Sequence, residues 1–379
     1  MPKRLLKKLS ALGLASVLLF SLAACKGKEK EKESAETTAE VTAEQTTKEA
    51  ESEATAAKTT EAEPSASVTE AAEEDVNAGS DLAPLSGRKV SEEARNRRVI
   101  AVMLDNHPDA RMQAGWSQAD MVFEMRVEGA YTRYMALFQS EDAPLVGPIR
   151  SARGYYITRM DEFDSVYVHF GGSTEADHML TSSRYEDIDG MVVPSSVIWR
   201  YNATGKFAPH NAYSDLETLR GYAGNLGYDQ EKAIRGYRFN ETPEAPSGGE
   251  TADKVFVRFL SNNTSTFDYQ EAEGMYTFAK GGVKQLDENT DEAVMVQNII
   301  IQETSYSKSS WGDPLLACEQ IGSGKGIYVS QGKQIPIRWE KTSEDEMTMY
   351  YTEDGEELTL NPGLTWVEVT DTISEIEIS

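Results

Sequence analysis

From Met121 to Glu128 the chain alternates apolar and polar residues, Met-Val-Phe-Glu-Met-Arg-Val-Glu, which is the period of a strand. Met121, Phe123, Met125 and Val127 then share one face, and Glu124, Arg126 and Glu128 the other. Gly129-Ala130 separates this run from a second one over 131–139 and predicts a two-residue hairpin turn with Gly first. That register sets Arg126 opposite Arg133, a like-charge pair that costs energy unless carboxylates or an anion sit beside it. Residues 99–104 and 165–170 read as further strands. Residues 151–163 read as a helix with Ser151 at its N-cap, Gly171-Gly172-Ser173 leads into a second helix through 180, and 214–226 make a third.

Beyond residue 252 the pattern changes to short β-rich runs at 255–260, 294–302, 326–330, 335–339, 347–351, 358–360 and 366–369, with no helical period. Glu353-Asp354-Gly355-Glu356 carries the Asp-Gly signal of a hairpin. Gly322-Ser323-Gly324-Lys325-Gly326 lacks the final Ser/Thr of a P-loop and the spacing of a dinucleotide fingerprint, so it reads as a turn between strands. The predicted fold class is α+β: a mixed α/β head domain over 96–239, then a mostly-β domain over 252–379. A polar Pro/Gly segment over 240–249 marks the boundary, and the roughly 280 residues involved are more than one core normally holds.

Composition changes the picture most at the N-terminus. Lys3, Arg4, Lys7 and Lys8 precede an apolar run over 9–22, and Leu22-Ala23-Ala24-Cys25 follows. A short apolar segment ending in small residues is a secretory signal, and Cys directly after Leu-Ala-Ala is the position where bacterial lipoproteins are cut and lipidated. Cys25 is therefore the expected lipidation site of residues 1–25. The anchor would hold the chain on the extracytoplasmic face of the cell membrane. Residues 26–95 read as a disordered Glu/Ala/Thr/Lys-rich linker. Over 26–80 six Lys face fifteen Asp and Glu with no aromatic residue, too little apolar surface to bury and enough charge to self-repel. The net charge of −26 excludes general nucleic-acid binding. With Cys25 lipidated, Cys318 has no disulfide partner and reads as a buried small hydrophobe.

Candidate chemistry gathers in the first half. Glu124 and Glu128 are the paired carboxylates of the charged strand face, about 13 Å apart by strand rise. Gly147-Pro148-Ile149-Arg150-Ser151-Ala152-Arg153 sets Arg150 and Arg153 around an expected helix N-terminus, where an anion is favoured. Arg133 joins them, with Asp105 as an orienting carboxylate or as the arginines' own partner. His169 precedes Gly171-Gly172-Ser173, and Ala208-Pro209-His210-Asn211 adds a loop histidine beside Asn211. His169 with a carboxylate makes an acid/base pair. No two of the four histidines have helical metal-ligand spacing and no Cys joins them, so no metal site is expected, and no cofactor.

Val102-Met103-Leu104-Asp105-Asn106-His107-Pro108, Ala114-Gly115 through Gln118-Ala119-Asp120, Glu124 with Val127-Glu128-Gly129, and Thr132-Arg133 form a recurring signature. So do Gly147-Pro148 with Arg150-Ser151-Ala152-Arg153, His169 with Gly171-Gly172-Ser173, and Ala208-Pro209-His210-Asn211. Together they resemble the YerB-type bacterial lipoproteins, whose extracytoplasmic region is a domain of unknown function. The resemblance implies a two-part lipoprotein head with a shared polar pocket, and supplies no reaction.

Three functions fit these readings. The first is a membrane-anchored lipoprotein whose α/β domain binds an anionic or glycan-like ligand, with Asp105, Arg133, Arg150, Arg153, Ser173, His210 and Asn211 as binding residues. The second is a cell-wall hydrolase using Glu124, Glu128 and His169. The third is a protein-interaction module at the membrane.

Overall fold

The computed structural model describes residues 76, 78–231, 234–371 and 373–379; the signal segment, Cys25 and most of the linker lie outside them. The folded head begins ahead of the composition change at Arg97. Ala83 and Leu85 are fully buried, and a short helix α1 (Glu92–Asn96) is capped by Ser91. Leu82-Ala83-Pro84-Leu85 is too short to show a period; a local turn closes it, with Ala83 N–H donating to the Arg88 carbonyl at 2.8 Å, and Tyr237 donates its backbone N–H to the Pro84 carbonyl at 2.9 Å.

The first half supplies β1 (Ile100–Asp105), β2 (Met121–Arg126), β3 (Thr132–Phe138), β4 (Val166–His169) and β5 (Asp187–Asp189). It also supplies α2 (Gly154–Asp161), α3 (Thr174–Met179) and α4 (Leu216–Leu226). The second half is almost wholly strand. Its main members are β6 (Lys254–Leu260), β7 (Asn263–Gln270), β8 (Met275–Lys280), β9 (Asn298–Glu303), β10 (Gly322–Ser330), β11 (Lys333–Lys341), β12 (Met349–Thr352) and β13 (Thr365–Thr370). The α+β class therefore holds, with a mixed first half and a mostly-β second half.

The two segments expected to form separate domains meet in one sheet. Its order is β12-β11-β10-β9-β13-β2-β3-β1-β4-β5, and β13 runs parallel to β9 on one side and to β2 on the other. Alternate residues of this sheet feed two cores. Val122, Tyr134 and Trp366 pack under a second sheet containing β6, β7 and β8, where Trp366 lies 4.3 Å from Phe278 and 5.3 Å from Trp116, ring centre to ring centre. Phe123, Met135 and Val367 pack instead under Tyr156, Ile157 and Met160 of α2. Because both faces are covered, the Glu124 face of β2 is buried rather than solvated: Glu124 is 0% exposed.

Three local expectations shift. The β2–β3 loop closes with Val127 N–H donating to the Tyr131 carbonyl at 3.0 Å, and Gly129 takes φ +72. The loop is one residue longer than a two-residue turn, and a one-residue slip changes every partner. Arg126 consequently faces Thr132, while Arg133 lies between Met125 and Asp105. Ser151 is not a helix cap, since α2 starts at Gly154 with Arg153 in the N-cap position. Residues 322–326 are the first part of β10, not a turn. Gly324 and Gly326 stand opposite Trp339 and Ile337, and a Cβ on Gly324 would meet the Trp339 Nε1 at 2.5 Å. Glycine there makes room for a neighbouring indole.

Candidate functional site

Residues 147–153 form an extended strap over the C-terminal ends of β1 and β4. Asp105 N–H donates to the Pro148 carbonyl at 2.9 Å, Arg150 N–H to the Met103 carbonyl at 2.9 Å, and Phe170 N–H to the Arg150 carbonyl at 3.0 Å. Gly147 admits the strap, because a Cβ there would meet the Ala212 carbonyl at 2.8 Å. Ends of parallel strands beside a covering loop are where α/β sheets commonly hold ligands.

Asp105, 4% exposed, is the hub of this edge. Its Oδ1 accepts from the His107 N–H at 3.0 Å, its Oδ2 contacts the His210 Nδ1 at 2.7 Å, and Arg150 Nε stands 3.4 Å from the same Oδ2. The His210 ring stacks on His107 with centroids 4.4 Å apart, and Tyr131 lies 5.0 Å from His107. Arg133 donates to the Ser151 carbonyl at 2.6 Å. Burial, with Arg153 and Arg150 nearby, lowers the Arg133 guanidinium to about 10 against the help of Asp105 and Glu128. Arg200 lies over the Phe170 ring at 4.3 Å and donates to Asn211 Oδ1 at 3.2 Å; burial and then Arg150 lower its pKa. Four arginines thus crowd an edge whose carboxylates are Asp105, Glu128 and the exposed Asp109.

Other expected site residues are committed elsewhere. Arg153 grips Glu128 through three contacts of 2.7–2.9 Å. Burial alone would raise the Glu128 carboxyl, but Arg153 holds it below its usual value. Ser173 caps α3 by accepting from Ala176 N–H at 3.2 Å, and Asn211 donates to Asn202 Oδ1 at 2.6 Å, bracing its own loop. Glu124 is sealed between the sheets, where Lys280 pairs with it and Ser265 donates to it at 2.9 Å. Burial pushes the Cys318 thiol up to about 12, away from the thiolate form.

His169 stands apart from the Asp105 edge. Its Nε2 is 3.1 Å from Asp187 Oδ2 and its Nδ1 2.9 Å from the Gly171 carbonyl. With Asp177, Asp187 and Asp189 it lines a cavity of about 420 Å³. Glu124, Arg150, His169 and His210 therefore do not converge on one cavity; only Arg150 and His210 meet. Burial opposes charge on His169, but the Asp187 bond, the Gly171 carbonyl and Asp189 outweigh it and raise its pKa. A histidine raised on folding contributes stability that is full below about 6.5 and lost as pH rises through the folded value. The stability gap between wild type and His169→Asn, from urea unfolding, is expected to be wider at about pH 5.5 than at about pH 9. A gap independent of pH would remove the charge from this account.

Sequence reasoning passed over His107 as a site residue. It caps the short 3-10 turn Pro108–Ala110, accepting from Asp109 N–H at 3.2 Å, and the Asn-His-Pro-Asp order carries that turn signal.

Residues 85–229 match the N-terminal domain, and 255–367 the C-terminal domain, of the family described as "Protein of unknown function (DUF3048)". The chain is 33% identical over 300 residues to "Putative lipoprotein YerB" of Bacillus subtilis (strain 168), covering 78% of this chain and 88% of that one. It superposes on the crystal structure of YerB from Bacillus subtilis with a TM-score of 0.71 at 31% identity, covering 79% of this chain and 99% of that one. No helix among the described residues is long and apolar enough to cross a membrane. The strap and the Asp105 hub lie within the N-terminal match, and the chain belongs to the DUF3048 family as a YerB-like lipoprotein of unknown activity.

Proposed function

We propose that this lipoprotein, held by Cys25 on the extracytoplasmic face of the membrane, binds an anionic ligand of the cell envelope at the Asp105 edge. One observation carries the reading: Arg133, Arg150 and Arg200 crowd the strap, with Asp105 the counter-charge of Arg133 and Arg150. Like charges held together cost energy that an anion relieves. Among the described residues Arg150 has Asp105 as its only ion-pair partner, at 3.4 Å, and its side chain remains 26% exposed. Its outward N–H groups are free to grip a carboxylate or phosphate.

The paired-carboxylate hydrolase loses its geometry, because Glu124 has no exposure and Glu128 is clamped by Arg153. A wall polymer has no path to the first and finds the second occupied.

The full chain in detergent micelles is expected to be retained by purified, phosphate-rich cell-wall polymer. Arg150→Ala should weaken that retention by about tenfold or more, the scale of one charge-assisted hydrogen bond, with the circular-dichroism spectrum unchanged. Wild-type protein that passes over anionic polymer unretained would refute the reading. So would an Arg150→Ala variant retained as well as wild type.

A further inference from the structure

Beside the arginines lies a group of different chemistry. His107, Asp109 and His210 each offer one donor atom within 4.8 Å of the others. The His107 Nδ1 and Asp109 Oδ2 are already 3.6 Å apart. Two ligands bound at about 2.0–2.1 Å in a tetrahedral site stand roughly 3.3–3.4 Å apart, so this edge needs little movement. His210 is oriented by a carboxylate: Asp105 Oδ2 engages its Nδ1 at 2.7 Å, which leaves Nε2 with the lone pair. A ligating histidine held through its second nitrogen by a carboxylate is the usual support of a protein metal site. Asp105 is in turn fixed by the His107 N–H at 3.0 Å and by Arg150 at 3.4 Å. The stacking of His107 on His210 sets the two rings side by side, 15° from parallel.

We propose that His107, Asp109 and His210 bind one divalent transition-metal ion, with Asp105 as the positioning residue for His210. Two imidazoles and a carboxylate select a borderline ion of the zinc or cobalt type over calcium or magnesium, which prefer all-oxygen shells. Three protein ligands leave at least one coordination position open. The site is half-open, since the Asp109 side chain is 75% exposed and that of His107 30%. An ion here adds positive charge next to Arg150 and gives an anion a second point of attachment. The cation site itself does not depend on the anion-binding proposal, and its test reads the metal alone.

His107 and Asp109 are two positions apart, but His210 arrives about a hundred positions later, which hides the set from any spacing rule. His107 gives up its contact with the Asp109 N–H if it ligates through Nδ1, and that donor lies next to solvent.

The experiment is titration of the full chain with Co²⁺, followed by its visible absorption and checked by Zn²⁺ competition. One saturable Co²⁺ per chain, displaced by Zn²⁺, is expected. Asp109→Asn, on an exposed side chain that cannot unfold the protein, and His107→Ala should each weaken binding at least about tenfold. Asp105→Asn should weaken it by about 10–100-fold while keeping one ion per chain, the pattern of a lost outer-shell carboxylate. His178→Ala, at a histidine outside the cluster, should bind as wild type does. The proposal is overturned by the absence of saturable Co²⁺ uptake. It is equally overturned by uptake that Asp109→Asn and His107→Ala leave unchanged, which would place the ion on the acidic surface.

Discussion

Replacing Lys280 by Met is expected to destabilise the fold by about 3–5 kcal/mol, the cost of stranding a buried charge. Lys280, Glu124 and Glu368 are all 0% exposed, between the main sheet and the sheet that contains β8. Glu124 and Glu368 face each other across the parallel β2–β13 seam, so one ammonium serves two adjacent carboxyls. Burial, then the Glu124 charge, pushes Glu368 well above the usual carboxylate range, against the opposing pull of Lys280 and the Ser265 hydroxyl. Glu368 is therefore the member driven toward the neutral form, while Glu124 is the carboxyl that Lys280 pairs with, held also by Asn106 at 3.2 Å and Ser265 at 2.9 Å. Lys280→Met keeps the side-chain length over the Phe259 ring but leaves Glu124 to take a proton or stay unpaired. A carboxyl forced to hold a proton on folding loses stability as pH rises, by about 1.4 kcal/mol per unit. The urea-unfolding penalty should accordingly be smaller at about pH 5 than at about pH 7. Glu368→Gln, a mimic of the protonated acid, should change stability by less than about 1 kcal/mol. A neutral Lys280→Met, or a Glu368→Gln as costly as it, would reverse the assignment of charges.

The alternation of β2 shows which residues share a face, and that part of the reading carried into the structure. It could not show that Glu124 faces a second sheet, because its cover comes from strands more than a hundred residues away. Those covers were also hard to read. Asn263-Thr264-Ser265-Thr266-Phe267-Asp268-Tyr269-Gln270 is polar by composition, although Ser265 and Phe267 are fully buried. Ser265 is buried as a donor to Glu124, a reason no local pattern displays. At the candidate site, Asp105, Arg150 and His210 were identifiable by residue type, but their meeting depends on a strap laid over β1 and a loop arriving after residue 200. Asp109 was invisible for the converse reason. An exposed acid in a polar turn gains meaning only from the histidine that the fold brings beside it.

On the opposite face of the sheet, Glu162→Gln should cost about 3–5 kcal/mol as well, with the charges inverted. Glu162 lies at the C-cap of α2 and pairs with Arg159 at 2.9 Å and Lys341 at 3.2 Å, all three side chains being 0% exposed. It also accepts from the Thr348 N–H at 2.9 Å and hydroxyl at 3.1 Å. Burial opposes the Arg159 charge, and Glu162 more than restores it; burial lowers Lys341. Taking the charge from Glu162 leaves two buried cations without an anion, and their mutual repulsion uncompensated. Arg159 and Glu162 belong to the first half of the chain, Lys341 and Thr348 to the second. Glu124 and Lys280 divide in the same way on the other face. Each face of the shared sheet is thus cross-linked between halves by a buried charge cluster, and the β2–β13 ladder joins them in between. The halves should therefore unfold together although the family divides into an N-terminal and a C-terminal domain. Tryptophan fluorescence and far-ultraviolet circular dichroism of wild type, Lys280→Met and Glu162→Gln should each trace one coincident urea transition. Two separated transitions in the wild type would mean that the seam does not couple the halves, and that the charge clusters stabilise each half alone.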